Sequence, residues 1–223
     1  MHKDLPHHSP PDTRPSFVSP TPIIHVVDDD ASFRTAVTRL LRAAKYEVRS
    51  YSSAPEFIAS AASPSPGCIL LDLRMPGASG FDLQNSLATS EERLPIVFLT
   101  GHGDIPASVH AMKAGAVDFL TKPVRRETLL HAVENALERN ATERKSRAVL
   151  SELRKRYETL TAREREVVAH VVSGKLNKQI GFNLGTTERT IKAHRASIMN
   201  KLGVQSVAEL TRMAQALDIE PSR

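Results

Sequence analysis

The chain has 223 residues, enough for one large domain or two small ones, each able to bury a core. Hydrophobic residues make up 40% of it and charged residues 25%, and its longest apolar runs, such as residues 68–71, are far too short to cross a membrane as a helix. The net charge of +5 lies toward the C-terminus: residues 23–139 carry 12 basic and 14 acidic groups, 140–158 six and three, and 159–223 ten and six, which suggests that the second half meets a polyanion.

In chain order, residues 1–22 are His- and Pro-rich and lack the continuous apolar stretch of a secretory signal. They are expected to form a disordered tail on a protein that stays in the cytoplasm. Short apolar runs at 23–28, 47–51, 68–72, 96–100 and 117–121 read as strands, and the segments of helical period at 31–44, 54–62, 80–88 and 105–113 as the helices between them. Strands joined by helical crossovers run parallel with both sheet faces covered, so the expectation is a doubly wound, five-stranded α/β domain. The lone cysteine, Cys68, excludes an internal disulfide and a multi-cysteine zinc site, and reads as a core thiol. From Arg126 to Glu158 there is neither Gly nor Pro, so one helix is expected to run on past the sheet as a charged linker, with a coiled-coil seam through Val149, Leu150 and Leu153 as the alternative. Helical segments then follow at 161–172, 176–184, 187–202 and 206–217, divided by Gly174, Gly185 and Gly203. Thr161 with Glu164 forms a capping box, and Thr187 is a second N-cap. The expected division is a tail at 1–22, an α/β domain at 23–138, a helical linker at 139–158 and an all-α four-helix domain at 159–220.

A parallel sheet collects all its strand C-termini at one edge, where ligands bind. The residues delivered there are Asp28, Asp29 and Asp30 after the first strand, Asp72 at the end of the third, Thr100 at the end of the fourth and Lys122 after the fifth. Asp30 reads as a helix N-cap. Gathered carboxylates repel one another unless a cation sits among them, and an oxygen-only donor set with an open position suits Mg²⁺. Asp72 is the candidate nucleophile, able to form an acyl phosphate without a general base, while Lys122 and the Thr100 hydroxyl meet phosphoryl oxygens.

The stretches HVVDDD (25–30), CILLDLRMPGASGFDL (68–83), FLTGHGD (98–104) and AMKAGAVDFLTKP (111–123) resemble the receiver domain of bacterial two-component response regulators of the FixJ type. The resemblance implies a flavodoxin-like sheet in the order 2-1-3-4-5, with Asp72 phosphorylated by a phosphohistidine of a sensor histidine kinase. It further implies that Asp29, Asp72 and the backbone carbonyl of Arg74 ligate Mg²⁺, that Asp28 supports the ion through water, and that Phe119 occupies an aromatic switch position. Val124 stands where many relatives carry an aromatic residue, and the Lys122-Pro123 bond is expected to be cis.

Residues 177–204 have the grammar of a helix-turn-helix, with a short helix, a turn at Gly185 and a longer helix. On a helical wheel Ile191, Ile198 and Leu202 form one stripe, while Arg189, Ala193, Ala196 and Asn200 lie opposite, small enough to let the backbone approach base edges. LTAREREVVAHVVSG (160–174), NKQIGFNLGTTERTIKAHR (177–195) and KLGVQSVAEL (201–210) resemble the LuxR-type DNA-binding domain of FixJ and NarL regulators. By that resemblance Lys192, Ala193 and Ala196 face bases, and Lys178, Thr190 and Lys201 lie near phosphates. Arg195 is expected to pair with Glu164 or Glu166, or to meet DNA. Gly181 replaces the usual Ala of the family and is expected to weaken its helix by up to about 1 kcal/mol.

The function expected from the two resemblances is a transcriptional regulator that homodimerises on phosphorylation and binds double-stranded DNA, with RNA polymerase as a further candidate partner and no membrane. It is not expected to be an enzyme beyond its own phosphorylation at Asp72 and its autodephosphorylation. The alternatives are a constitutive DNA-binding regulator with a vestigial receiver, and a phosphatase using Asp28 and Asp30, whose nucleophile would however follow the first strand.

Overall fold

Strand residues that are apolar without alternation belong in a sheet covered on both faces, and the chain follows that rule. The computed structural model describes residues 21–60, 65–88, 93–101 and 105–222. Five strands, β1 (Ile23–Val27), β2 (Glu47–Tyr51), β3 (Gly67–Asp72), β4 (Ile96–Thr100) and β5 (Asp118–Thr121), pair in parallel in the order β2-β1-β3-β4-β5. Alternate residues of the central strands enter two separate cores. Ile24, Val26, Cys68, Leu70, Val97 and Leu99 meet Val37 and Leu41 of α1 (Ala31–Ala43) and Leu129, Val133 and Ala136 of α5 (Arg126–Glu158). Val27, Ile69, Leu71 and Phe98 meet Phe57 of α2 (Ala54–Ser60), Leu83 of α3 (Gly80–Ala88) and Ala111 of α4 (Ile105–Lys113). Edge strand β2 instead buries only Val48 and Tyr51, which is why its sequence reads as mixed.

Most expected bounds hold, and nearly all of the others shift by a single residue. Asp28 lies just past β1, although its N–H still donates to the Tyr51 carbonyl at 3.1 Å. Residues 61–62 of the expected second helix, residues 1–20 of the expected tail and residues 102–104 of the FLTGHGD motif lie outside the described residues. Burial pushes the Cys68 thiol up to about 12, as befits a core thiol. The Lys122-Pro123 bond is cis, and Val124 packs against the first core from a partly buried position.

The chain divides into two compact units, Met1–Asn140 and Ala141–Arg223. Helix α5 runs unbroken through that boundary. Asn140 accepts the Gly67 N–H at 3.1 Å and so closes the first unit, whereas Leu153 and Tyr157 pack into the core of the second. Val149 and Leu150 between them are exposed. Among the described residues no helix is long and apolar enough to cross a membrane.

The second unit contains α6 (Ala162–Val172), α7 (Asn177–Asn183), α8 (Glu188–Leu202) and α9 (Val207–Ala216) around Val167, Val168, Ile180, Ile191, Ile198, Leu202 and Leu210. Gly174, Gly185 and Gly203 take left-handed φ values of 81°, 62° and 67°, which lets the chain reverse between helices. Gly181 answers a different need. A Cβ there would stand 2.9 Å from the Thr186 carbonyl oxygen, so with an alanine the turn into α8 would have to sit slightly farther from α7.

Glu164 ties α6 to α8. Its carboxylate closes the capping box with Thr161 and accepts from Ser197 Oγ and Lys201 Nζ, each at 2.7 Å. Those bonds, with Lys201 foremost, hold its carboxyl down to about 2, from an ordinary 4.5. The stabilisation is therefore complete above about pH 4.5 and disappears as the pH falls toward 2. Glu164→Gln is expected to destabilise the second unit by about 2 kcal/mol at pH 7, and the difference from wild type should vanish on acidification. Urea denaturation at pH 7 and pH 2 checks this, and a difference independent of pH would contradict it.

Candidate functional site

The C-terminal edge of the sheet brings together Asp28, Asp29, Asp72, Thr100 and Lys122, which are spread over 95 residues of chain. Asp28 and Asp72 are almost fully buried, at 1% and 7% exposure, while Asp29 faces solvent. Lys122 reaches between the two buried acids, its Nζ 2.6 Å from Asp28 Oδ2 and 2.8 Å from Asp72 Oδ2. Its backbone N–H donates to the Thr100 carbonyl at 2.7 Å, which fixes the lysine over the ends of β4 and β5.

The other oxygens of the acids are occupied locally. Asp28 Oδ1 accepts the Asp30 N–H at 3.0 Å, and the Asp28 carbonyl accepts Nη1 of Arg34 at 2.6 Å. Asp30 itself caps α1, accepting the N–H groups of Ser32 and Phe33, as its position in the sequence suggested. Asp72 Oδ1 accepts the Arg74 N–H at 3.2 Å, so the turn after β3 wraps the acid. The face of the Phe33 ring lies under the Lys122 ammonium, with the centroid 4.3 Å from Nζ.

Burial raises the Asp28 carboxyl above the ordinary aspartate range, against the opposing pull of Lys122. Burial alone would lower Lys122, but its bonds to Asp28 and Asp72 outweigh that and hold it above the ordinary lysine range. Ligand oxygens of Asp28, Asp29 and Asp72 lie within 4.8 Å of one another. A hard, oxygen-only set with two buried members and one solvent-facing member fits a Mg²⁺ ion that keeps several waters.

Phe119 is half-buried on β5, paired in register with Phe98 of β4, and the two rings are tilted at a centroid distance of 6.3 Å. Strand alternation puts Thr100 and Phe119 on the same sheet face as diagonal neighbours. Thr100 is fully buried.

In the second unit, α8 buries Ile191, Ile198 and Leu202 and exposes Arg189, Lys192, Ala193, Ala196 and Asn200. Lys178 is exposed on α7. Thr190 is engaged with the α8 cap, its N–H and hydroxyl meeting Thr187 Oγ1 at 3.1 and 2.9 Å. Lys192 forms a solvent-exposed pair with Glu188 at 3.1 Å. Lys201, itself exposed, donates to Glu164 Oε2 at 2.7 Å. One expectation needs correction. Arg195 pairs with neither Glu164 nor Glu166: its Nη1 donates to Asn177 Oδ1 at 2.8 Å, linking α8 to the start of α7, and Glu166 meets Arg163 instead. Sequence reasoning missed Phe33, whose neighbour in the site lies 89 positions away, and it missed the role of Glu164 beyond the cap.

Comparison with known proteins places both units. Residues 24–134 match the response regulator receiver domain, and residues 158–214 match the bacterial regulatory proteins of the luxR family. Nodulation protein W of Bradyrhizobium diazoefficiens is 44% identical over 197 residues, covering 88% of this chain and 87% of that protein. Among solved structures, the response regulator StyR is similar with a TM-score of 0.76 and 44% identity, over 87% of this chain and 98% of that one. Full-length FixJ from B. japonicum is similar with a TM-score of 0.54 and 36% identity, over 89% and 98%. The acid-lysine cluster at the sheet edge and the helix-turn-helix of the second unit thus agree with the same assignment: the chain belongs to the FixJ family of two-component response regulators, a receiver domain joined to a LuxR-type DNA-binding domain.

Proposed function

We propose that the chain is a phosphorylation-controlled transcription regulator in which Asp72 accepts a phosphoryl group from a sensor histidine kinase. The observation that carries this is the Asp72 carboxylate, ending a buried strand at the sheet edge and hydrogen-bonded to Lys122 beside two further acids. An Asp72 oxygen attacks phosphorus in line, the phosphorus–nitrogen bond of the phosphohistidine breaks, and the imidazole leaves with the electron pair. Lys122 then neutralises one phosphoryl oxygen and the Thr100 hydroxyl donates to another. Asp29, Asp72 and the Arg74 backbone carbonyl would hold Mg²⁺, with Asp28 supporting it through water, and the ion would supply further neutralisation of the phosphoryl oxygens.

The phosphoryl group acts on the rest of the receiver by favouring one conformation over another. When the Thr100 hydroxyl turns toward it, the space behind is filled by Phe119, which repacks the face formed by α4, β5 and α5. That face carries the exposed stripe Ile105, Val109 and Met112 on α4, spaced as one side of a helix, which supports its use as the homodimer surface. A dimer presents two α8 helices to half-sites about one duplex turn, or 34 Å, apart, and the two DNA contacts reinforce each other. Lys192, Ala193 and Ala196 meet the bases, with Lys178, Thr190 and Lys201 near phosphates. A cytoplasmic location fits a regulator that meets both a sensor kinase and DNA.

Three outcomes follow. Asp72→Asn is expected to fold but to take up no label from acetyl phosphate and Mg²⁺, and undiminished acid-labile phosphate would move the acceptor elsewhere. Thr100→Ala should be phosphorylated yet remain monomeric in sedimentation velocity with beryllofluoride and Mg²⁺, where wild type dimerises; a wild type equally monomeric in both states would remove the switch. Lys192→Ala should weaken binding to a DNA site selected in vitro by about 1–3 kcal/mol and affect random DNA less, whereas equal losses on both would make it a phosphate contact.

A further inference from the structure

The Lys122 ammonium has three N–H bonds to place. Two meet Asp28 and Asp72 at 2.6 and 2.8 Å. The Phe33 ring covers another side, its centroid 4.3 Å from Nζ. The quadrupole of an aromatic face attracts a cation at this distance, and the attraction grows as the cation loses water. The Lys122 side chain is 17% exposed, so little water competes for that side.

Phe33 is held in place by the turn that also carries the acids. Its N–H donates to the Asp30 carboxylate at 3.1 Å, its ring packs partly buried against the first core, and the next residue, Arg34, grips the Asp28 carbonyl. Residues 28–34 therefore bring one acid and one ring to the same ammonium.

We propose that Phe33 is a positioning residue: its ring face orients the Lys122 ammonium toward the phosphoryl group arriving at Asp72, and so speeds the phosphorylation of Asp72. The proposal rests on Asp72 being the phosphoacceptor. In transfer from acetyl phosphate, an Asp72 oxygen bonds to phosphorus, the bond from phosphorus to the acetate oxygen breaks, and acetate leaves with the electron pair, so no proton moves. Lys122 lowers the barrier only when its charge already stands where the transferring oxygens become more negative. With an aliphatic side chain at position 33 the third N–H turns to water, and the lysine samples rotamers that point away.

The test uses the full chain, acetyl phosphate and Mg²⁺, with wild type, Phe33→Leu, Phe33→Tyr and Asp72→Asn. Phe33→Leu is expected to be phosphorylated about three- to ten-fold more slowly, and Phe33→Tyr, which keeps the ring, within about two-fold of wild type. Without phosphodonor or metal, the ε-methylene protons of Lys122 should resonate upfield of the other lysines through the ring current. They should stay there in Phe33→Tyr and return to the ordinary position in Phe33→Leu. Equal rates for wild type and Phe33→Leu, a Phe33→Tyr as slow as Phe33→Leu, or an unshifted Lys122 in wild type would each overturn the proposal. Should Phe33→Leu fail to fold, the spectra of wild type and Phe33→Tyr decide it. Full labelling of Asp72→Asn would instead overturn the phosphoacceptor assignment itself.

Discussion

Carboxylates gathered at one edge of a parallel sheet repel one another, and the Lys122 ammonium is what allows Asp28 and Asp72 to be buried side by side. Everything around the receiver site serves that contact. The Thr100 carbonyl pins the lysine backbone, Arg34 pins the loop that carries Asp28, and the Arg74 N–H pins Asp72. Such a buried ionic cluster contributes little net stability, because desolvation offsets most of the attraction. Its stability comes from elsewhere, in the two apolar cores that cover the sheet. The cluster is therefore free to be poised, with charge held where an incoming anion can rearrange it.

The DNA-binding unit uses a buried carboxylate in the opposite manner. Glu164 is satisfied on every side, by its own helix through Thr161 and by α8 through Ser197 and Lys201, with no oxygen left for a ligand. Together with the Arg195 bond to Asn177, this locks α8 against α6 and α7 and so fixes the direction of its exposed face. One unit holds its charges ready for exchange, and the other spends them on rigidity. That contrast suits a chain in which the first unit responds and the second reads.

The strands were legible because burial on both faces leaves solid apolar runs, and the helix starts were legible where a side chain caps its own backbone, as at Asp30, Thr161 and Thr187. The set of site residues was legible for a topological reason: a parallel sheet delivers every strand end to one edge, so Asp28, Asp72, Thr100 and Lys122 could be grouped without knowing a distance. Partners were not legible. A helical wheel gives the direction of Arg195 and Lys201 but not what the neighbouring helix offers them, and the Phe33 ring meets Lys122 only through tertiary packing. At Gly181, likewise, propensity counts the cost of glycine within the helix but not the Thr186 carbonyl that approaches from outside.

The central claim is that the state of Asp72 controls how the second unit meets DNA. Fluorescence anisotropy on an in vitro selected DNA site, for wild type and Asp72→Asn with and without beryllofluoride and Mg²⁺, tests it most directly. The expected result is that the phosphoryl mimic tightens wild-type binding at least about tenfold and leaves Asp72→Asn unchanged. Wild-type affinity indifferent to the mimic, or a mutant that responds equally, would contradict the account.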